Sequence, residues 1–343
     1  AHLSYLIGHQ GRGAVIDPRR DCRVYVEMAH TRGLRIDTIF ETHRNEDYLV
    51  GSTDLARMTG AEIYHGRQLD FKYGNPAAEG DTFELGDLRL KILETPGHTF
   101  ESISIAVIDT QFGDSAVAVF TGDALFVGDV GRTDFFPDQA REVAGLLYDS
   151  IFDKLLPLGD QAILLPAHGA GSVCGDSMAE REFSTLGMER SFNPMLVETD
   201  REQFIAAKLN EQHDQPPYFK RMEAGNLEGS APSVSELYPP PPLSVSIFDT
   251  RVEQGARILD VRSPEAMAAF IPQRLGIPLD MIPAFAGWFL PSDEDIVLVV
   301  EDNAAAHKGW RHLMRIGYDR IVGYLDEGLH AWEVSGRAYA TIP

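Results

Sequence analysis

Four β-rich runs of this chain hand over to loops that carry imidazole and carboxylate, and this recurrence narrows the fold more than any other feature. Ile36–Glu41 runs into Thr42-His43-Arg44-Asn45-Glu46-Asp47-Tyr48, and Leu88–Glu94 runs into Thr95-Pro96-Gly97-His98-Thr99. Ala116–Phe120 is followed by Thr121-Gly122-Asp123, and Ile163–Pro166 by Ala167-His168-Gly169-Ala170-Gly171-Ser172. Helical patterns at Cys22–Thr31, Val50–Thr59, Asp138–Leu156 and Met178–Met188, a further strand at Ser102–Ile108 and a Ser4–Ile7/Gly13–Ile16 hairpin accompany these runs. Short strands interleaved with helices build layered α/β folds. In such folds ligands gather where strands give way to loops, because side chains converge there while the backbone stays anchored. Imidazole and carboxylate converging from several loops is what a transition metal needs. Taken singly, each histidine reads as a surface or capping residue; in this register together they read as a site.

With 343 residues the chain has room for two or three domains. Residues 229–243, Gly-Ser-Ala-Pro-Ser-Val-Ser-Glu-Leu-Tyr-Pro-Pro-Pro-Pro-Leu, favour an extended polyproline segment and read as a linker. A front domain of residues 1–228 and a back domain of residues 244–343 follow. A formal charge of −22 repels phosphate backbones and anionic lipid, which argues against nucleic-acid and membrane partners. No apolar run approaches the ~20 residues of a membrane helix, and the opening residues enter a strand pattern without a basic leader. Cys22 and Cys174 are the only cysteines, too few for a disulfide framework or a four-cysteine zinc site. The expectation is a soluble cytoplasmic protein with a small-molecule partner, homo-oligomerisation being left open.

The front motifs resemble those of the metallo-β-lactamase fold superfamily, which carries Thr-His-x-His-x-Asp-His, then Gly-His-Thr, Gly-Asp and a final loop histidine. Nearer still is its branch of persulfide dioxygenases fused to rhodanese domains. Val15-Ile16-Asp17-Pro18, Gly122-Asp123-x-Leu125-Phe126, Gly131-Arg132-x-Asp134, the His168–Gly175 loop and Asn193-Pro194 carry that similarity. The resemblance implies an αββα sandwich holding one Fe(II) by two histidines and an aspartate, with positions left for O2 and a thiol persulfide. Carried over by motif, the ligands are Asn45, His98 and Asp123. Asn45 departs from the pattern: a neutral amide oxygen is a weaker donor than imidazole, which implies low occupancy or lost activity, with zinc as the alternative metal. Tyr48 stands where hydrolases of the superfamily place a histidine for a second metal, which favours one metal over two.

His43, Asp47 and His168 are then expected beside the metal, orienting water or substrate. Cys174, six positions after His168, is either an acceptor of sulfane sulfur or a buried thiol. The substrate implied is a low-molecular-weight thiol persulfide such as glutathione persulfide. Its carboxylates call for local cations, and Arg132 and Arg190 are the candidates.

Residues 244–343 resemble a rhodanese domain through Ile258-Leu259-Asp260-Val261-Arg262-Ser263-Pro264-Glu265, the strand Ile296–Val300, the helix Ala304–Met314 and Gly328-Leu329-His330-Ala331-Trp332. Rhodaneses transfer sulfur through a cysteine just after that strand, cradled at a helix N-terminus. Glu301-Asp302-Asn303-Ala304 occupies that place, and no cysteine follows Cys174. The back domain is thus expected to be a pseudo-rhodanese used for docking, dimer contacts or shaping the front site. Three functions are consistent with the sequence: an iron-dependent persulfide dioxygenase, a glyoxalase II-like thioester hydrolase, and a binding module without catalysis.

Overall fold

The computed structural model describes residues 2–342 apart from Val173, Cys174, Asp176, Glu182, Glu198, Thr199 and Ser230, so the expectation for Cys174 lies outside the described residues. The chain divides into two compact units: residues 1–215 with 223–230, and residues 216–222 with 231–343.

Two sheets form the middle of the first unit. In one, β1 (Tyr5–His9) and β2 (Arg12–Ile16) form an antiparallel hairpin, and β3 (Arg35–Phe40), β4 (Glu62–Gly66) and β5 (Asn75–Ala77) extend it in parallel. In the other, β6 (Thr82–Leu85), β7 (Leu88–Glu94), β8 (Ile103–Asp109) and β9 (Ala116–Gly122) run antiparallel; β10 (Ile163–Pro166) joins β9 in parallel and β11 (Ser184–Thr185) closes the edge.

Strand alternation explains the layers, because successive side chains of a strand face opposite sides. Ala14 and Ile16 of β2 pack with Ile105 and Val107 of β8 and with Phe40, Leu90 and Phe120 in the core between the sheets. Their neighbours point outward. Val15, Ile36 and Ile39 pack under α1 (Arg23–Thr31) and α2 (Ser52–Thr59), and Ala106 and Val119 under α3 (Ala140–Asp149). Helix, sheet, sheet, helix is the αββα order expected from sequence. Among the described residues no helix is long and apolar enough to cross a membrane.

Two expected helices are corrected. The helix expected over 178–188 starts only at α4 (Leu186–Phe192), because Ser184 and Thr185 are extended and pair with β10. Thr185 then accepts from the Met188 amide through its hydroxyl, which fixes the helix start. After α3 the chain also makes one wide π turn over Ser150–Leu155 before a short 3-10 turn at Leu156–Leu158. The helices α5 (Pro194–Val197) and α6 (Arg201–Asn210) follow, and α7 (Phe219–Glu228) carries residues of both units.

The second unit is built on a sheet ordered β12-β17-β16-β13-β15, with β12 Pro242–Leu243, β13 Arg257–Asp260, β15 Leu275–Gly276, β16 Ile296–Val299 and β17 Ile321–Leu325. All its pairings are parallel. β14 (Ala269–Phe270) and β18 (Ala340–Thr341) form a separate antiparallel pair. The last two residues expected to be linker are therefore strand: Leu243 is buried, and Pro242 tolerates the edge position because an edge strand needs fewer of its N–H groups. Helices α8 (Val245–Glu253), α9 (Ile282–Phe289), α10 (Asn303–Arg315) and α11 (Gly328–Val334) complete this α/β region.

Candidate metal centre

Each strand that ends at the site delivers a polar group or two. β3 delivers Thr42 and His43, β7 delivers His98, β9 delivers Asp123 and β10 delivers His168; all are buried. Two glycines make the approach feasible. At Gly97, φ is +143°, and a Cβ there would strike the backbone of α3 at Leu147. At Gly131 a Cβ would run into the Asp123 carbonyl oxygen and crowd His98.

The Nε2 atoms of His43 and His98 point at the same two carboxylates. His98 Nε2 lies 3.3 Å from Glu46 Oε1 and 3.5 Å from Asp123 Oδ2. His43 Nε2 lies 3.7 Å from Asp123 Oδ2 and 3.9 Å from Glu46 Oε2. Donor atoms of His43, Glu46 and His98 all fall within 4.8 Å of one another. Both Nε2 atoms are buried and make no hydrogen bond of good geometry. Leaving buried polar atoms unpaired costs free energy. A cation between these atoms would satisfy both nitrogens at once, so the residues fit a metal.

Hydrogen bonds at the far side of each ring set its tautomer. His98 Nδ1 donates to the Arg132 carbonyl at 3.0 Å, so in the neutral ring the lone pair is on Nε2. His43 Nδ1 meets Thr42 Oγ1 at 2.9 Å, while the Thr42 hydroxyl donates to Asp17 Oδ2 at 2.8 Å and the Thr42 amide to Asp17 Oδ1 at 2.7 Å. With its proton committed to Asp17, the Thr42 oxygen accepts from His43 Nδ1–H, which in the neutral ring likewise puts the lone pair on Nε2. Orientation of this kind is how metal-ligating imidazoles are usually held. His168 differs. Its Nδ1 lies 2.8 Å from Asp123 Oδ1 and its Nε2 3.0 Å from Asp47 Oδ2, so both nitrogens are engaged by carboxylates.

Electrostatics agree with that division. Burial alone would raise the Asp123 carboxyl, but the imidazoles of His168 and His43 hold it well below the carboxylate range. Glu46 is lowered against its burial by His98 and His43. Burial would lower His98, yet Glu46 and then Asp123 hold it above its ordinary value. A pocket that attracts a proton to an imidazole in this way attracts a divalent cation to the same place.

Sequence expectation and structure differ over which residue of the Thr42–Tyr48 loop faces His98 and Asp123. His43, expected beside a metal, is the residue whose nitrogen reaches them. Asn45 Nδ2 donates to the His43 carbonyl at 3.1 Å, and its Oδ1 is buried without a hydrogen bond. Asp47 and His168 pair with each other as neighbours of the centre. Arg132 is buried and clamps Asp134 through Nε and Nη2, both at 2.6 Å, so its carbonyl is what serves His98. Arg190 lies on α4, donating to the Leu156 carbonyl and pairing with Asp160, and the structure does not bring it to the cluster. Glu46, Asp17 and Asn226 were missed. Asn226 donates to the carbonyls of Asn45 and Tyr48 and accepts from the Val50 amide, pinning the loop. Nothing in the sequence signalled it, whereas Asp17 ends β2 just as Asp123 ends β9.

Glu41, next to the loop, carries a stability prediction. It accepts from the Tyr73 hydroxyl, and burial pushes its carboxyl up to about 7 even though that hydroxyl donates to it. The folded chain thus holds this proton more tightly than the unfolded chain. That contribution is complete below the ordinary value of 4.5 and is lost as pH rises through about 7. Glu41→Gln removes the charge, and at about pH 8 it is expected to be more stable than wild type by on the order of 3 kcal/mol at most. The gain should shrink towards zero near pH 5 in urea unfolding; a difference that does not vary with pH would contradict the assignment.

Residues 1–168 match the model of the Metallo-beta-lactamase superfamily. A crystal structure described as a metallo-beta-lactamase from Staphylococcus aureus is similar with a TM-score of 0.83 and 32% identity, covering 94% of this chain and 95% of that one. The persulfide dioxygenase ETHE1 of Bos taurus is 30% identical over 217 residues, 60% of this chain and 76% of that protein. The hydroxyacylglutathione hydrolase GloC of Haemophilus influenzae is 27% identical over 217 residues, 57% of this chain and 92% of that protein. Against uncharacterized mycobacterial relatives, 39% identical over 118 residues, the chain spans 45% of their length.

Proposed function

Since the chain belongs to the metallo-β-lactamase superfamily, we propose that it is a mononuclear, iron-dependent persulfide dioxygenase whose metal is held by His43, His98 and Asp123. The observation that carries this reading is the pair of imidazole Nε2 atoms, each ring oriented by a contact at its own Nδ1, facing one carboxylate. Two histidines and one carboxylate with positions left over suit non-haem Fe(II) better than a closed zinc site. Bound there, Fe(II) would supply the one-electron chemistry that lets O2 react with a sulfane sulfur.

The protein's own part is to orient and to exclude. Thr42 and the Arg132 carbonyl keep both imidazoles in the ligating tautomer, and the Asp47–His168–Asp123 chain fixes the carboxylate. Burial of the cluster keeps bulk water from a persulfide that would otherwise decompose. A hydrolase with two metals is less well supported, because both nitrogens of His168 are engaged and Tyr48 replaces the expected histidine. We read the second unit as rhodanese-like but without sulfur transfer: Asp302 caps the Ala305 amide at the start of α10, and Glu301 accepts from the Ser263 amide, where a sulfur carrier would need a cysteine.

The balanced reaction is GSSH + O2 + H2O → GSH + SO3²⁻ + 2H⁺. After anaerobic iron loading, glutathione persulfide is expected to drive O2 uptake with matching sulfite, and a hydroxyacylglutathione thioester is expected to be left intact. Thioester cleavage without O2 uptake would support the hydrolase, and inactivity in both assays a binding module.

A further inference from the structure

Glu46 has no counterpart in the Thr-His-x-His-x-Asp-His pattern, where its place is an unspecified position, yet it is buried at the centre of the cluster. Its two oxygens divide between the histidines, Oε1 towards His98 at 3.3 Å and Oε2 towards His43 at 3.9 Å. We propose that Glu46 is a fourth protein ligand, so that this chain builds a two-histidine, two-carboxylate centre; this rests on the reading of a metal at His43, His98 and Asp123.

Charge and coordination both favour it. Asp123 and Glu46 together balance a divalent cation, whereas a single carboxylate would leave a net positive charge buried in the protein. Glu46 presents a carboxylate to His98, where Asn45, whose amide nitrogen bonds within its own loop, presents no charge.

The test is anaerobic Co(II) titration of the full chain, followed by visible absorption, for wild type, Glu46→Gln, Glu46→Asp and His98→Ala. Glu46→Gln keeps the shape of the side chain and is expected to weaken Co(II) binding at least ~10-fold and to alter the visible bands as the donor set changes. Glu46→Asp, retaining a carboxylate, should recover part of the affinity. If Glu46→Gln matches wild type in both affinity and spectrum while His98→Ala loses the metal, the fourth-ligand proposal fails and the metal centre stands. If wild type itself takes up no Co(II), or His98→Ala binds as wild type does, both fail.

Discussion

Replacing His43 or His98 by alanine is expected to abolish metal uptake and persulfide-dependent O2 consumption, while Asn45→Ala retains both. Each histidine supplies one of the two imidazole nitrogens that face Asp123, and its removal takes away half of the nitrogen donors that bind a transition metal. The loss should exceed the ~10–100-fold typical of residues that merely orient a ligand. Asn45 directs its amide nitrogen to its own loop, so its truncation removes a loop hydrogen bond and not a donor from the face shared by His98 and Asp123. Metal content after dialysis, measured beside circular dichroism to show an intact fold, decides the matter. Retention of metal by His43→Ala with its loss from Asn45→Ala would return the ligand role to Asn45.

A subtler substitution has the second large effect. Asp17→Asn keeps the shape of a side chain that accepts from the Thr42 amide and hydroxyl. The amide oxygen must stay on the Thr42 N–H, which places the new NH2 against Thr42 Oγ1 as a donor. The Thr42 hydroxyl then gives its own proton to His43 Nδ1, and the ring proton moves to Nε2, into the centre. Metal affinity is expected to fall ~10–100-fold with little change in fold. Nitrogen-15 spectra of the histidine rings should show His43 exchanging its Nδ1–H tautomer for Nε2–H. An unchanged affinity with the Nδ1–H tautomer retained would show that Asp17 does not govern the ring. Burial pushes the Asp17 carboxyl up to about 6, opposed by His43 and the Thr42 hydrogen bonds, so the carboxylate form that sets the ligating tautomer prevails at neutral pH.

The layered α/β fold was legible in the order of strands and helices, and the sandwich in the resemblance of the motifs; in the structure Ala14, Val15 and Ile16 divide between two cores as a period of two requires. The site was legible too, as a place where strand ends carry His43, His98, Asp123 and His168. The division of labour within it was harder to read. Matching Asn45 to the second histidine of the pattern treats the motif as a string of letters. The loop after β3 bends between residues 42 and 48, so neighbours in the motif do not share a face as they would in a strand, and the carboxylate three residues beyond His43 folds back to meet it. Rules that found Asp123 at the end of β9 would also have found Asp17 at the end of β2 had its Thr42 partner been visible. Long-range clamps such as Asn226 on the Asn45 and Tyr48 carbonyls depend on a helix far along the chain and leave no local trace. The helix expected over 178–188 failed for a similar reason, because pairing with β10 draws Ser184 and Thr185 into a strand that their own sequence does not announce.

Anomalous diffraction from iron-loaded crystals, recorded on both sides of the iron edge, tests the central claim most directly. One peak is expected, bounded by His43 Nε2, His98 Nε2 and an Asp123 oxygen, with His168 still bridging Asp123 and Asp47. A peak between Asp47 and His168, a pair of peaks a few ångströms apart, or iron bound elsewhere with these nitrogens uncoordinated would contradict it.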